Sequence, residues 1–203
     1  IHYEIANYLT DLDFVVSDEG YGKPDYVTTE KPIVVVTAPG PGSGKMSFCM
    51  AQVYQDRKRG VMSGFAKFET FPIWELEHPV NVAYEAATAD IGDYNLMDPY
   101  HLESHGVKAI NYNRDVENFA IMGKIIEKMV PADDPFAEIK SPTDMGVNMA
   151  KQGIVDDVAV RAAAKEEIVR RNFRYYREFV EGGTTHTTLE RMDRIMEKVG
   201  VTP

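Results

Sequence analysis

The stretch "IVVVTAPGPGSGKMS", Ile33 to Ser47, decides the predicted fold, because an apolar run breaks there into alternating glycine and proline. Residues 33–37 are all β-branched and do not alternate with polar residues, a pattern typical of a strand buried on both faces. Behind the loop, apolar residues at helical spacing predict a helix from Lys45 that ends at Gly60. The stretch therefore predicts a strand, a glycine-rich loop and a helix in succession.

Further strands are predicted over "GFAKFETF", residues 64–71, and over "VKAINYN", residues 107–113. A strand, a loop, a helix and a second strand in this order open an α/β unit, and the handedness of such connections favours a parallel pair. We therefore predict an α/β fold with a parallel sheet core that contains a phosphate-loop-like strand–loop–helix. The predicted core domain covers residues 1–130.

The segments "DDVAVRAAAKEEIVRRNFRYYREFV" and "TTLERMDRIMEKVG" predict a helical tail of two helices. Each predicted helix ends at a glycine. In the first segment Ile168, Phe173 and Tyr176 recur at helical spacing and are predicted to form a packing face. The arginines among them either bind nucleic acid or pair with neighbouring glutamates, and the packing face favours the pairing. Residues 131–203 are predicted to form a loop bridge and this helical subdomain.

The composition argues against two classes of protein. In 203 residues, 32 acidic against 22 basic side chains give a net charge of −10, which disfavours a non-specific nucleic-acid binder. No apolar run approaches the roughly 20 residues that a membrane-spanning helix needs. The single cysteine, Cys49, cannot form an internal disulfide and predicts a cytoplasmic protein.

The glycine-rich loop resembles a phosphate-binding loop in part. Such loops read G-x-x-x-x-G-K-[ST], in which backbone N–H groups cradle phosphate and the hydroxyl binds magnesium. Gly44 and Lys45 match, but Pro39 stands at the first glycine and Met46 at the Ser/Thr. Anion binding therefore fits the loop better than magnesium coordination, although a structural turn is the alternative. The predicted phosphate-binding residues are Gly40, Gly42, Ser43, Gly44 and Lys45.

Three further residues are candidates for catalysis beside such a loop. Glu69 lies where the second strand ends, and ligands of open α/β sheets bind outside the carboxyl ends of strands. Asp90 lies in a turn-like group around Gly92 and could bind a cation. Arg114 follows the third predicted strand and could clamp an anionic group in bidentate fashion. Each has a structural alternative, as a solvated carboxylate, a loop residue or a surface arginine.

One further pair could hold a metal ion. Asp98 and His101 are spaced to share a helix face, but Pro99 between them favours Asp98 as the N-cap of a helix instead. In "SPTDMGVNMA", Ser141 and Asp144 form either a capping box or part of a functional loop.

Five motifs together identify a family resemblance: "IVVVTAPGPGSGK", "GFAKFETFPIW", "HPVNVAYEAATAD", "NYNRD" and "SPTDMGVNMA". They closely resemble the bacterial domain of unknown function 1846 family over about residues 21–202. Members of that family are longer, with sequence on both sides, so this chain is expected to be a central segment. The resemblance implies no particular reaction.

Three functional hypotheses follow from the sequence. In the first, the chain is an enzyme that binds a nucleotide or another phosphorylated small molecule, with Mg²⁺ as a possible cofactor, for phosphoryl transfer or hydrolysis. In the second, it is a non-catalytic, anion-gated binding or assembly module whose helical tail docks a partner or a second copy. In the third, the loop is only a structural turn, and the active site is expected on domains outside this chain.

Overall fold

The computed structural model describes residues 4–39, 43–69, 78–148 and 150–203, and it is a mixed α/β structure dominated by helices. The chain forms two compact units. The first comprises Ile1–Ala66 and Ala120–Ile139, and the second comprises Lys67–Phe119 and Lys140–Pro203. The predicted division of the chain into domains at residue 130 stays a prediction.

The first unit is built from helices. It contains α1 (Leu12–Val15), α2 (Lys45–Lys58), the end of α5 (Asn113–Met129) and a 3-10 helix over Pro135–Glu138. The predicted helix from Lys45 is thus confirmed, and Gly60 behind it has φ of 76°, a left-handed conformation that favours glycine. The apolar side of α2 is buried through Met50, Ala51 and Val53.

The predicted strand over residues 33–37 is wrong. These residues belong to no strand, and Ile33 and Val35 are 81% and 80% exposed. β-branched residues favour a strand only where a neighbour supplies hydrogen bonds and an apolar face. No part of the described chain pairs with this segment. The described residues therefore do not form the predicted strand–loop–helix arrangement.

The second unit contains two small sheets. In one, β1 (Lys67–Glu69) pairs in parallel with β4 (Gly146–Asn148), with Lys67 opposite Gly146. In the other, β2 (Asn95–Met97) pairs antiparallel with β3 (Ile110–Tyr112). The helix α4 (Pro99–His105) lies between these two strands in the sequence. The predicted second and third strands therefore exist in shortened form. The parallel partner of β1 is β4, a segment that sequence reasoning assigned to a loop.

Three helices supply the apolar core of the second unit, namely α3 (Val80–Ala87), α7 (Asp157–Val180) and α8 (His186–Val199). The short α6 (Ala150–Gly153) precedes α7. Of the helices in the described ranges, none is both long and apolar enough to cross a membrane. The buried cluster that joins α3, α7 and α8 consists of Val82, Ala86, Ala89, Ile168, Tyr175, Met192, Ile195 and Met196.

The predicted packing face of α7 is only partly right. Ile168 is fully buried as expected, but Phe173 and Tyr176 are 59% and 61% exposed. Tyr175 is buried in their place, because α3 and α8 cover that side of the helix. The predicted pairing of arginines with glutamates is confirmed, since Arg170 and Arg171 pair with Glu167 and Arg174 pairs with Glu178.

Candidate functional site

The N-terminus of α2 lies directly behind the glycine-rich loop. Its N-cap, Gly44, has φ of 79°, and its carbonyl accepts a hydrogen bond from the Phe48 N–H at 2.9 Å. A glycine offers no side-chain acceptor to the first N–H groups of a helix, and α2 has no acidic residue in its first turn. These N–H groups carry partial positive charge, which attracts anions. Gly40 and Gly42 lie outside the described residues.

The predicted catalytic residues all belong to the second unit. Glu69 ends β1, and its side chain lies outside the described part of the structure. The Asp90 carboxylate accepts a hydrogen bond from the hydroxyl of buried Tyr175 at 3.0 Å. Arg114 Nη2 donates to Asp93 Oδ2 at 2.6 Å, and Asp93 is only 1% exposed. Asp90 and Arg114 therefore have structural partners.

The contacts around Arg114 form a small network. Asp93 Oδ2 also accepts a hydrogen bond from the Tyr84 hydroxyl at 2.8 Å. Burial lowers the pKa of Arg114, but its hydrogen bond and charge interaction with Asp93 outweigh burial and raise the pKa above its usual value. Asp115, the next residue along the chain, forms an ion pair with Lys67. The guanidinium is thus held as a permanent cation beside a buried carboxylate.

Asp98 caps α4, as one of the two sequence alternatives predicted. Its Oδ1 accepts a hydrogen bond from the His101 N–H at 3.0 Å, and Pro99 is the first helical residue. The other alternative, a metal pair of Asp98 with His101, does not describe this geometry, because Asp98 Oδ2 accepts hydrogen bonds from Thr143. The imidazole of His101 has other partners.

The side chains of His101, His105 and Asp144 form a cluster. One ligand atom of each lies within 4.8 Å of the others. His101 Nδ1 is 3.4 Å and His105 Nε2 is 3.0 Å from Asp144 Oδ1. The two imidazole rings, four residues apart on one face of α4, have centroids 4.5 Å apart. The two histidines therefore share one carboxylate.

The turn that carries Asp144 is tightly held. Lys140 N–H donates to Asp144 Oδ2 at 2.9 Å, and Asp144 N–H donates to Ser141 Oγ at 3.1 Å. These two bonds resemble the predicted capping box, although a turn follows in place of a helix. Ser141 is fully buried, and its Oγ lies 3.0 Å from His101 Nδ1. Hydrogen bonds thus hold both the Asp144 carboxylate and the His101 imidazole in place.

The Asp144 carboxyl is ionised at neutral pH. Burial raises its pKa, but hydrogen bonds from His105, from the Lys140 N–H and from Ser141 outweigh burial and lower the pKa below its usual value. An ionised carboxylate beside two imidazoles is a set of donors for a cation. Sequence reasoning considered His101 but missed His105 and Asp144 as its partners. The spacing of two histidines by four residues was the available signal.

Comparison with known proteins gives a consistent result. Residues 1–200 match a family model described as "Domain of unknown function DUF1846, N-terminal". A UPF0371 protein of Streptococcus pyogenes serotype M5 is 48% identical over 205 residues, covering 100% of this chain and 41% of that protein. One of Streptococcus thermophilus is 47% identical with the same coverage. One of Fusobacterium nucleatum is 50% identical over 202 residues, covering 98% of this chain and 39% of that protein.

The matches confirm the resemblance found in the five sequence motifs. They extend it, since the match begins at residue 1 and the expected region began near residue 21. The chain spans about two-fifths of the length of these bacterial relatives. This chain belongs to the DUF1846 family.

Proposed function

We propose that this chain binds a nucleotide or another phosphorylated small molecule at residues 40–45 and the N-terminus of α2. The observation that supports this proposal best is the start of a 14-residue helix at Lys45, directly behind left-handed Gly44. Helix N-termini that follow glycine-rich loops bind phosphate because their N–H groups point at the ligand and the helix dipole favours negative charge. In this proposal Lys45 adds a full positive charge.

The remaining contributions come from the loop backbone. Gly40, Gly42, Ser43 and Gly44 would donate N–H groups, whereas Pro41 has none to donate. Because the whole chain carries a net charge of −10, an anion is attracted only where local charge opposes the overall field. Met46 supplies no hydroxyl for magnesium, so a Mg²⁺ ion would need ligands from the bound molecule or from other residues.

The nature of the activity divides into two candidates. An enzyme for phosphoryl transfer or hydrolysis needs groups that hold a metal or stabilise charge, the role for which the sequence predicts Glu69, Asp90 and Arg114. As an anion-gated binding or assembly module, the chain would couple ligand binding at the loop to the docking of a partner or a second copy. The hydrogen bonds of Asp90 to Tyr175 and of Arg114 to Asp93 favour the second candidate, because both side chains already serve the fold. A cytoplasmic location stays a prediction.

A thermal-shift experiment tests the binding proposal. ATP, GTP and inorganic phosphate are each added with and without Mg²⁺ to the parent chain and to Lys45→Ala. A ligand at 100 times its Kd adds about 2.7 kcal/mol to the free energy of unfolding, which corresponds to roughly 5–11 °C in Tm for a domain of this size. We expect the shift in the parent chain and its loss in Lys45→Ala.

A matched control removes the same charge elsewhere. Lys124→Ala alters an exposed lysine of α5 and is expected to keep the full ligand-induced shift. Equal shifts in the parent and in Lys45→Ala, or no shift with any of the three ligands, would contradict the proposal. A ligand-induced shift that requires Mg²⁺ favours the enzyme. A shift that is independent of Mg²⁺ favours the binding module.

A further inference from the structure

We propose that His101, His105 and Asp144 form a binding site for a divalent transition-metal ion, with Zn²⁺ as the natural probe. This site belongs entirely to the second unit, and the inference does not depend on phosphate binding at α2. It rests on three ligand atoms that already converge, on the chemistry of those atoms and on the contacts that hold them in place.

The separations are close to those of a coordinated ion. Zinc binds imidazole nitrogen and carboxylate oxygen at about 2.0–2.2 Å, so two ligands in a tetrahedral site are about 3.3–3.6 Å apart. The Asp144 Oδ1 atom lies 3.4 Å from His101 Nδ1 and 3.0 Å from His105 Nε2. One ligand atom of each of the three residues lies within 4.8 Å of the other two. Small rotations of the side chains would therefore place an ion between all three.

The donor set selects the class of ion. Two imidazoles and one carboxylate suit Zn²⁺ and the neighbouring first-row metals, whereas Ca²⁺ and Mg²⁺ prefer sites made of oxygen alone. The His105 side chain is 39% exposed, and those of His101 and Asp144 are 17% and 18% exposed. An ion can therefore enter from solvent and keep at least one position for water. Three protein ligands with an open position are typical of zinc sites that act as Lewis acids.

Buried residues behind the cluster fix its geometry. Asp98 caps α4 through the His101 N–H and also accepts two hydrogen bonds from Thr143, one residue before Asp144. Ser141 and Asp98 are both fully buried. Outer contacts of this kind orient metal ligands before the ion arrives. The two histidines and Asp144 are thus anchored to one rigid frame, although they lie about 40 residues apart in sequence.

The first experiment is a titration of the 203-residue chain with Zn²⁺, after treatment with a chelator and removal of any affinity tag. Competition against a chromogenic chelator gives the stoichiometry and the Kd. We expect one equivalent of Zn²⁺ to bind, and the Kd to rise at least about 10-fold in His105→Gln and in Asp144→Asn, since even outer-contact variants of metal sites lose 10–100-fold.

His186→Gln is the matched control. His186 also lies beside a carboxylate four residues away, at 3.2 Å from Glu190, but its side chain is 72% exposed. Among the residues that the structure describes, no third ligand joins this pair. The Kd of His186→Gln for Zn²⁺ should equal that of the parent chain. Parent-like affinity in both His105→Gln and Asp144→Asn, or failure of the parent chain to bind Zn²⁺, would overturn the proposal.

The visible absorption of bound Co²⁺ gives a second readout, which would not depend on these residues if their role were only structural. Cobalt bound by two imidazoles and a carboxylate in a four- or five-coordinate site absorbs visible light strongly, and the hydrated ion does not. The bands should appear with the parent chain and with His186→Gln. Circular dichroism checks the folding of each variant. If His105→Gln loses helicity, Asp144→Asn decides, because its amide oxygen can still accept the Lys140 N–H; parent-like bands in Asp144→Asn would then refute the site.

Discussion

The buried carboxylate of Asp98 accepts two hydrogen bonds from Thr143, at 2.6 Å from its hydroxyl and at 3.2 Å from its backbone N–H. The same carboxylate caps α4 through the N–H of His101. One side chain therefore joins the start of a helix to a turn 45 residues later in the sequence. This link holds His101 and Asp144 in one place.

Thr143→Val removes the hydroxyl from this link while it keeps the shape of the side chain. We expect the free energy of unfolding to fall by about 1.5–3 kcal/mol, because the lost hydrogen bond is to a charged group. The Kd for Zn²⁺ should rise about 10-fold, since the outer contacts of Asp144 loosen. Urea denaturation and the chelator competition measure the two effects. Thr187→Val, at an exposed position of α8, is the control, and equal stability of the two variants would contradict the prediction.

Tyr175→Phe tests the structural role of Asp90. The Tyr175 hydroxyl donates to Asp90 Oδ1 at 3.0 Å, and the ring is 1% exposed. Burial, followed by the nearby Asp90, raises the pKa of Tyr175 to about 12, so the hydroxyl stays a donor at neutral pH. We expect a loss of about 1–2 kcal/mol in the free energy of unfolding. The neighbour Tyr176, which is 61% exposed, provides the control Tyr176→Phe.

A double-mutant cycle of Tyr175→Phe with Asp90→Asn separates the two readings of Asp90. A structural role predicts a coupling energy between the two changes, since they remove the same contact. Additive losses would mean that the hydrogen bond contributes nothing to stability. In that case Asp90 returns as a candidate for catalysis.

Stability of α7 should depend on pH through Glu167. Hydrogen bonds from Arg170, and then from Arg171, lower the pKa of its carboxyl from 4.5 to about 2. A lowered folded-state pKa gives stability that is complete above the unfolded value and is lost as the pH falls towards 2. Because both arginines reach solvent, we expect the effect to be below about 1 kcal/mol. Acid titration of the urea midpoint in Glu167→Gln should show a smaller slope between pH 4.5 and 2.

The adjacent glutamate provides the control for this measurement. Glu166 is exposed on the same turn of α7, and Glu166→Gln should keep the acid dependence of the parent chain. If both variants behave alike, the ion pairs of Glu167 are too well solvated to affect stability.

Met192→Ala should be the most destabilising change in the helical core. Met192 is fully buried where α3, α7 and α8 meet. Truncation of such a side chain removes transfer energy and leaves a cavity, at a cost of about 2–5 kcal/mol. Val158→Ala at a 78% exposed position of α7 should stay within about 0.5 kcal/mol. Comparable urea midpoints for the two variants would show that the core repacks.

If a second copy of the chain docks on the helical tail, we expect the exposed aromatic residues of α7 to contact it. Phe173 and Tyr176 lie three residues apart and are both more than half exposed, so they share a face of the helix. If that face binds a second copy, Tyr176→Glu should convert a dimer into a monomer in sedimentation velocity. A dimer of unchanged stability in Tyr176→Glu, or a parent chain that is monomeric with and without phosphate ligand, would contradict this role.

The sequence alone determined the features that depend on residues within a turn or two of one another. Asp98 caps α4 because Pro99 follows it, α2 runs from Lys45 to a stop at Gly60, and Glu167 pairs with arginines three and four residues away. These interactions are nearly the same in any helix of that sequence. The sequence also identified the family, because five motifs that occur in the same order are sufficient to recognise it.

Only the tertiary structure decided which distant segments meet. The β-branched run at 33–37 lacks a partner in the described chain, and the short β1 finds one in β4, some 79 residues away. Asp144 reaches two histidines of α4 through the turn that Asp98 holds. Pairing of strands and convergence of ligands depend on chain segments that sequence spacing does not relate. Their energies are gained only when the intervening chain has folded, and no local pattern records that outcome.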